Sequence, residues 1–593
     1  MAYRPIASYG VVGNMHSIAL VGMCGSIDWL CLPRFDSPSV FGRILDDVKG
    51  GFFSLHPAGD CSERQMYLPG TNVLVTRFLS TEGIAEVVDF MPVGGTQRQL
   101  IRIARAVRQT VRFRMECRPA FDYARAGHTA RAVDGGVVFE STAGSLALLS
   151  NAAIRIDDEG GGVAEFVLQP GESVTFALQE DHRQPFDGDR LQTETVRYWR
   201  SWLSHCRYQG RWREMVQRSA LVLKLLTYQP TGAVVAAATT SLPESIGGVR
   251  NWDYRYTWVR DAAFTVYALM RLGYTEEAEA FTHFMHQRAL EQEPENGPLN
   301  VMYGIDGRHE LNEVSLDHLD GYMGSKPVRA GNGAWQHLQL DVYGELMDSI
   351  YLHDKYGTRI SWDVWLQVER MLDWVSHNWS RPDQSIWEVR GGAQHFTYSK
   401  LQCWVALDRG LRLAAKRSLP INGKRWAAER DNIYRSIMTE AWNPNIGAFA
   451  QYFGSDAVDA SVLLMPLVLF LGPKDPRMVS TVDRVMKDLT ADALVYRYRI
   501  GDAAPDGLPG NEGTFSICSF WLVEALTRAG RLEEAQMLFE KMLTYANHVG
   551  LYSEQIGAAG EALGNFPQAF THLGLIGAAF NLNRALDGGS VQS

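Results

Sequence analysis

The stretch NWDYRYTWVRDAAFTVYALMRL, residues 251–272, joins an aromatic loop to a helix, and this combination decides the fold. Four aromatic rings lie within seven residues, and Arg260 and Asp261 follow them. Apolar residues then recur at helical spacing, so we predict a helix over 261–272 with Asp261 as its N-cap. A two-residue connection leads to a second helical pattern over 275–289. The repeating unit is therefore a helical hairpin that is entered through a loop rich in aromatic and charged side chains.

From about residue 217 to the end, the sequence predicts twelve helices joined by loops that alternate between short and long. Six hairpins connected in this way indicate a closed ring of helical pairs, with all the long loops at one end. Function is expected at that end, because rigid scaffolds carry their binding groups on long loops. The predicted helices lie near 217–228, 261–272, 275–289, 336–356, 362–378, 399–416, 423–441, 458–471, 476–489, 513–530, 532–547 and 567–585.

The N-terminal part has a different pattern, with short runs rich in Val, Ile, Phe and Thr between Gly-rich turns. Many short strands at this spacing indicate an antiparallel β-sandwich. We therefore predict a β-sandwich over 1–188, a helical linker over 189–216 and a helical domain over 217–593. The clearest predicted strands are 72–79, 84–91, 136–140, 146–149 and 173–178.

Composition excludes several classes of protein. A net charge of −10 argues against nucleic acid or an anionic membrane surface as partner. No apolar run is long enough to cross a bilayer, and no secretory signal is visible at the start. The seven scattered cysteines contain no CxxC pair, so free thiols in the cytoplasm are expected. A homo-oligomer is compatible with this composition.

Other catalytic classes lack their motifs. The acidic and histidine residues of 309–320 invite a metal-site interpretation but lack a recognised ligand spacing, so no metal is predicted. Neither a phosphate-binding loop nor a dinucleotide fingerprint is present, and no serine-nucleophile elbow occurs between a strand and a helix.

The long loops share a chemistry that suits a sugar. Aromatic rings can stack on the apolar faces of a sugar, while a few charged groups bind its hydroxyls. Two isolated carboxylates, Glu388 and Glu554, lie in such loops beside aromatic residues. Glycoside hydrolysis needs two carboxyl groups, and the apolar wall of Trp387 could raise the pKa of Glu388. For either glutamate taken alone, an exposed loop carboxylate is the favoured interpretation.

Six motifs extend this interpretation, because together they resemble glycoside hydrolase family 15, the glucoamylase and trehalase family. The closest resemblance is to bacterial members with a trehalase-like N-terminal domain. Resemblance implies a β-sandwich joined to an (α/α)6 barrel, which agrees with the two halves inferred from the residues. The motifs are GSIDWLCLPRFDSPSVFG (25–42), NWDYRYTWVRDA (251–262), GNGAWQHLQLDVYGE (331–345), IWEVRGGAQHFTYSK (386–400), GNEGTFSICSFWL (510–522) and YSEQIGAAGEALGNFPQAFTHLGL (552–575).

The resemblance also implies an inverting mechanism. Glu388 matches the general acid of the family and Glu554 the general base, and inversion requires about 6.5–9.5 Å between their carboxyl groups. Further residues match positions that bind the terminal glucose or line its pocket. These are Tyr254, Trp258, Arg260, Asp261, Trp387, Arg329, Gln336 and Glu512.

The family resemblance favours α,α-trehalose as substrate, because the segment 25–38 is most similar to the trehalase-like group and the chain is expected in the cytoplasm. Maltooligosaccharides, isomaltose and dextran ends remain alternatives, since all present the same terminal α-glucosyl unit. An inverting phosphorylase needs no catalytic base, and a non-catalytic binding protein needs neither carboxylate. Both carboxylates are present, which argues against these two alternatives. No cofactor is required for the chemistry, and dependence on phosphate or magnesium stays open.

Overall fold

The computed structural model describes residues 3–95, 98–180, 184–291, 297, 299–357, 359–501 and 506–588. Its N-terminal half contains two antiparallel sheets of eight strands, numbered here in chain order. The first sheet has the order β1-β2-β3-β5-β10-β15-β14, with β4 beside β3. Its strands are β1 (Tyr9–Gly13), β2 (Ile18–Gly22), β3 (Ser26–Cys31), β4 (Ser39–Phe41), β5 (Phe52–Pro57), β10 (Val111–Arg118), β14 (Arg155–Ile156) and β15 (Gly162–Leu168).

The second sheet has the order β11-β12-β13-β16-β9-β8-β7-β6. Phe166 of the first sheet and Phe176 of the second contact across the sandwich, with ring centroids 5.7 Å apart. All five strands predicted above are present, so this part of the prediction is confirmed. The strands of this sheet are β6 (Ser62–Tyr67), β7 (Leu74–Leu79), β8 (Ile84–Phe90), β9 (Gln99–Arg108), β11 (His128–Val133), β12 (Gly136–Ser141), β13 (Gly144–Ser150) and β16 (Ser173–Glu180).

Side-chain alternation explains why these segments are strands. In β10, Val111, Phe113 and Met115 are buried, whereas Arg112 and Arg114 between them are exposed. A period of two places the apolar residues on the face toward the other sheet. The sandwich core therefore follows from local sequence pattern.

The C-terminal half is a ring of helices, here called the inner helices, surrounded by outer helices. Each inner helix packs against the next, and the last packs against the first, so the ring is closed. The inner helices are Val259–Leu272, Asp341–Tyr356, Thr397–Arg417, the 3-10 helix Ala460–Leu464, Ser516–Ala529 and Ala569–Leu586. The outer helices are Arg213–Leu225, Glu276–Glu291, Trp362–Asn378, Gly423–Ser436, Pro476–Leu489 and Leu532–Leu543.

The helix Gly188–Leu203 precedes the ring, and short strands pair within the loops of the helical half. No helix in the described part of the chain is long and apolar enough to cross a membrane. The short strands are Thr257–Trp258 with Met302–Tyr303, Val314–Ser315 with Arg329–Ala330, Trp442–Asn443 with Ala448–Phe449, Thr490–Ala491 with Leu494–Val495, and Thr514–Phe515 with Gln555–Ile556 and Ala562–Leu563.

Three local predictions differ from the structure. The helix predicted over 458–471 is only the 3-10 helix Ala460–Leu464, because Pro466 has no amide hydrogen with which to continue it. The predicted helix 336–356 begins at Asp341. Asp261 lies in the first turn of Val259–Leu272, whose N-cap is Trp258. The Asp261 carboxylate does not cap the helix and binds Arg260 instead.

A buried ion pair joins the aromatic loop of 251–258 to the β-sandwich. Arg255 Nη2 lies 2.6 Å from Asp253 Oδ2, and both side chains are fully buried. The guanidinium of Arg255 also donates to the Ser37 carbonyl at 2.8 Å and to the Tyr123 hydroxyl at 2.7 Å. Asp253 Oδ2 accepts the Gly331 amide hydrogen at 3.1 Å. This pair therefore fixes the loop between the two halves of the molecule.

We predict that Asp253→Asn lowers the free energy of unfolding by about 3–5 kcal/mol, because it leaves the Arg255 charge buried without its counter-ion. Chemical denaturation followed by intrinsic fluorescence measures the loss. The control is Glu140→Gln, which breaks an exposed pair with Arg131 and should change stability little. Equal effects of the two substitutions would contradict the role of the buried pair.

Candidate active site

The long loops at one end of the helical ring surround a small cavity. Its walls come from the segments that lead into four different inner helices, so residues far apart in sequence meet here. The residues that line it include Glu244, Trp252, Tyr254, Trp387, Glu388 and Arg497.

Glu388 is held in one orientation by three donors. Trp258 Nε1 and Arg260 Nη1 each donate to Glu388 Oε1 at 3.1 Å, and Gln339 Nε2 donates to the same oxygen at 3.2 Å. The side chain is 18% exposed. Its backbone φ of 52° lies in the left-handed region, which is uncommon for a residue with a side chain. All three donors bind Oε1, so Oε2 receives none of these hydrogen bonds.

Glu554 is more deeply buried than Glu388 and accepts fewer hydrogen bonds. It is 1% exposed, and its Oε1 is buried without a hydrogen-bond partner among the described residues. Oε2 accepts the Asn565 amide hydrogen at 3.4 Å. A Cβ atom at Gly564, where φ is +71°, would collide with this carboxylate, so the position requires glycine. The carboxylate is therefore enclosed, with one oxygen left for a ligand.

Burial, together with the charge of the neighbouring Glu244 carboxylate, raises the pKa of Glu554 to about 8. The Tyr254 hydroxyl, the Arg497 guanidinium and the Asn565 amide act in the opposite direction. A carboxyl group with a raised pKa is a stronger base once it is ionised.

His572 supports the loop that carries Glu554. Its Nε2 accepts the Tyr552 amide hydrogen at 3.2 Å, and its Nδ1 lies 3.0 Å from Ser219 Oγ. Burial lowers the pKa of His572 to about 3, so the ring is neutral and can accept that hydrogen.

Tyr254 lies within range of three carboxylates. Burial is the main cause that raises the pKa of its hydroxyl, followed by the charges of Glu554, Glu244 and Glu388. Its ring packs edge-on against Trp258, with centroids 5.1 Å apart. The tyrosine therefore connects the surroundings of the two predicted catalytic residues.

Arg260 and Asp261 form a pair beneath Glu388. Arg260 Nη2 lies 2.9 Å from Asp261 Oδ2, while the same guanidinium also binds Glu388 and the Ile386 carbonyl. Asp261 Oδ1 is buried without a partner among the described residues. Burial raises the pKa of Asp261 and the Arg260 charge opposes it. This oxygen is a free acceptor for a hydroxyl group.

Trp387 forms part of the cavity wall, and Glu512 lies behind that wall. Trp387 lines the cavity and donates its indole hydrogen to Asp459 Oδ2 at 2.9 Å. Glu512 forms an ion pair with Arg497, and its side chain is 2% exposed. Glu512 therefore supports Arg497 from behind and does not line the cavity.

Arg329 and Gln336 lie outside the cavity lining. The Arg329 guanidinium is 4.5 Å from the centre of the Trp252 ring and donates to the Asn251 carbonyl at 2.8 Å, so it supports the aromatic wall. Gln336 is exposed, and the amide that contacts Glu388 belongs to Gln339, three residues later.

Sequence reasoning did not identify Glu244, Arg497 or Gln339. Glu244 accepts the Trp252 indole hydrogen at 3.1 Å and lies 3.4 Å from Arg497 Nη2. The available signals were a carboxylate shortly before the aromatic loop and the alternation of Tyr and Arg over 496–499. Neither signal differs from that of an ordinary polar loop.

The histidine and acidic residues of 309–320 have structural contacts. His318 Nε2 lies 2.6 Å from the Tyr123 carbonyl oxygen, and the Asp320 amide donates to Asp46 Oδ2 at 3.2 Å. Within the described ranges, no group of three or more His, Cys, Asp or Glu side chains has an arrangement that could hold a metal ion. The seven cysteines, all within the described residues, are free.

Comparison with known proteins places this geometry in a family. The profile described as "Glycosyl hydrolases family 15" matches residues 210–580, and the profile described as "Trehalase-like, N-terminal" matches residues 2–179. A protein named trehalase from Mycobacterium tuberculosis is 41% identical over 98% of this chain and 90% of its own length. A trehalase from Thermoplasma acidophilum is 38% identical over 95% of this chain and 98% of its own.

A crystal structure of a bacterial glucoamylase complexed with acarbose superposes with a TM-score of 0.76 at 13% identity, over 100% of this chain and 95% of that one. That similarity confirms the fold class predicted above, a β-sandwich followed by an (α/α)6 barrel. The family profile covers more than half of the chain, and the relatives match over nearly its full length. The chain is therefore a glycoside hydrolase, and it belongs to glycoside hydrolase family 15.

Proposed function

We propose that the protein is an inverting, exo-acting α,α-trehalase that releases glucose from trehalose. The observation that carries the proposal is that Tyr254, which lines the cavity together with Glu388, also lies within electrostatic range of the enclosed Glu554. The trehalase names of relatives at 38–41% identity favour trehalose among α-glucosides. Glucoamylase, isomaltose or dextran glucohydrolase and oligosaccharide α-glucosidase activities are the alternatives, since these substrates share the terminal glucosyl unit.

In this mechanism Glu388 is the general acid. Its Oε2 gives a proton to the glycosidic oxygen as the bond to the anomeric carbon breaks. Glu554 is the general base, whose Oε1 takes a proton from the water that attacks the same carbon from the opposite face. The attack inverts the configuration at that carbon. The two proton transfers leave Glu388 ionised and Glu554 protonated, and exchange with solvent restores both.

The remaining groups bind the terminal glucose. The free Oδ1 of Asp261 and the Arg260 guanidinium suit its hydroxyls, because a buried acceptor is satisfied by a hydroxyl donor. Tyr254 and Trp258 form the apolar wall, where a ring face can stabilise developing positive charge. This mechanism needs no cofactor for bond cleavage, because Glu388 and Glu554 supply the acid and the base.

Two further functions are less well supported. An inverting phosphorylase uses phosphate as nucleophile and needs no base, so the enclosed Glu554 argues for a hydrolase. A non-catalytic binding protein does not require two carboxylates in contrasting surroundings. The proposal also includes a cytoplasmic location, because free thiols are typical of a reducing compartment.

The proposed activity predicts that kcat/KM is higher for trehalose than for maltose, isomaltose or maltotetraose. Glucose release with each sugar, with and without phosphate and magnesium, measures this and decides whether either ion is needed. Rapid NMR of the first products from trehalose should show α- and β-glucose in equal amounts. Two α-glucose molecules would exclude inversion, and release from no substrate would exclude the hydrolase.

Glu388→Gln and Glu554→Gln should each lower kcat by about 10²- to 10⁴-fold, because each removes a proton-transfer group while keeping its shape. Initial rates with trehalose measure the loss. Glu561→Gln is the matched control, since Glu561 is an exposed glutamate seven residues after Glu554. Near-normal activity of either catalytic variant would show that its assigned role is wrong.

The pH profile should respond to Glu244→Gln. Glu554 must be ionised to act as a base, so activity falls as the pH drops below its pKa, which burial and Glu244 raise to about 8. Removing the Glu244 charge lowers that pKa and moves the acidic limb of kcat/KM to lower pH. Glu561→Gln should leave the limb in place. A limb that stays or moves to higher pH in Glu244→Gln would refute the coupling.

A further inference from the structure

Arg390 lies beside the bond-breaking groups but outside the mechanism described so far. It follows Glu388 by two residues and lines the same cavity. Its side chain is 34% exposed, compared with 18% for Glu388, so it reaches nearer to the mouth. The oxygen protonated by Glu388 belongs to the leaving group, which must depart toward that mouth because Glu554 is enclosed. Arg390 is therefore on the leaving-group side.

The guanidinium of Arg390 is held in place before any ligand binds. Its Nη2 lies 3.4 Å from Glu313 Oε2, and its central carbon is 4.5 Å from the centre of the Trp252 ring. Glu313 is itself fixed, since its Oε1 lies 3.0 Å from Arg329 Nε. The Arg390 amide donates to the Asp506 carbonyl at 2.8 Å. A binding group fixed in this way loses little conformational entropy when a ligand arrives.

Most of the donors on Arg390 are available. A guanidinium carries five N–H groups, and the only side-chain hydrogen bond of Arg390 within the described residues is the one to Glu313. Trp252 is also constrained, because its indole hydrogen binds Glu244 and the Arg329 and Arg390 guanidiniums both lie 4.5 Å from its ring centre. The rim therefore offers directed donors, which suit hydroxyl and ether oxygens of a sugar.

We propose that Arg390, positioned by Glu313 and Trp252, binds the leaving sugar of the substrate and so determines specificity on that side of the scissile bond. The inference rests on the proposed hydrolase function and identifies the residue that binds the second sugar of the substrate. Substrates whose leaving group is a sugar gain the charge-assisted hydrogen bonds of Arg390. Ligands that fill only the terminal glucose site gain none.

The test is Arg390→Ala assayed in two ways. The kcat/KM for trehalose should fall about 10- to 100-fold, mainly through KM, as expected for losing a hydrogen bond from a charged donor. The inhibition constant of 1-deoxynojirimycin, a cation the size of one glucose, should stay within about two-fold. Arg390→Lys should recover part of the loss, because it keeps the charge without the planar fork.

Arg531→Ala is the control, since Arg531 is 28% exposed and ion-paired but lies by the outer helix Leu532–Leu543. It should leave both measurements unchanged. If Arg390→Ala weakens 1-deoxynojirimycin as much as trehalose, or changes neither, the proposal is overturned. Should Arg390→Ala fail to fold in a thermal melt, Arg390→Lys and Glu313→Gln provide the same comparison, with a selective loss for trehalose expected.

Failure of the proposed substrate is distinguishable from failure of this inference. If the wild type hydrolyses maltose but not trehalose, the trehalase proposal is wrong, and the same two measurements with maltose then test Arg390. A selective loss for maltose supports the inference, and an equal loss in both measurements refutes it.

Discussion

The buried ion pair between Asp253 and Arg255 is the constraint on which the site depends. Both side chains are fully buried, and a charge in such surroundings is costly unless it is paired and hydrogen-bonded. The segment around them is extended, with the Tyr254 and Tyr256 carbonyls accepting amide hydrogens from Ala237 and Ala236. Alternate residues of an extended chain point to opposite sides. Arg255 therefore reaches into the β-sandwich, while Tyr254 faces the carboxylates.

This arrangement gives the N-terminal sandwich a part in the site although none of its described residues lines the cavity. Ser37 and Tyr123 bind Arg255, and the Trp29 indole donates to the Ala238 carbonyl at 2.8 Å, next to the two alanine amides that bind the aromatic loop. Around the cavity, Glu388 receives three donors on one oxygen and Glu554 receives few. Two carboxyl groups in such different surroundings can take different roles in one reaction.

The fold was largely predictable because its signals are local. Strand alternation in β10 and helical spacing over 259–272 both depend on residues within a few positions of each other. At Pro466 the apolar pattern predicted a long helix, but proline cannot donate the backbone hydrogen bond, so the observed helix is shorter. Gln336 shows another limit, since the amide that contacts Glu388 belongs to Gln339, three positions later. Loops have no periodicity that specifies which side chain turns inward.

The sequence by itself determined the two halves of the chain, the six helical pairs and the loops in which the chemistry lies. It also determined the candidate carboxylates Glu388 and Glu554, through motifs that are contiguous in the chain. Only the tertiary structure decided that Glu244 lies near Glu554, and that Arg390 is held at the rim by Glu313. The physical reason is that charge interactions and burial depend on distance through space, which residues hundreds of positions apart acquire only when the ring of helices closes.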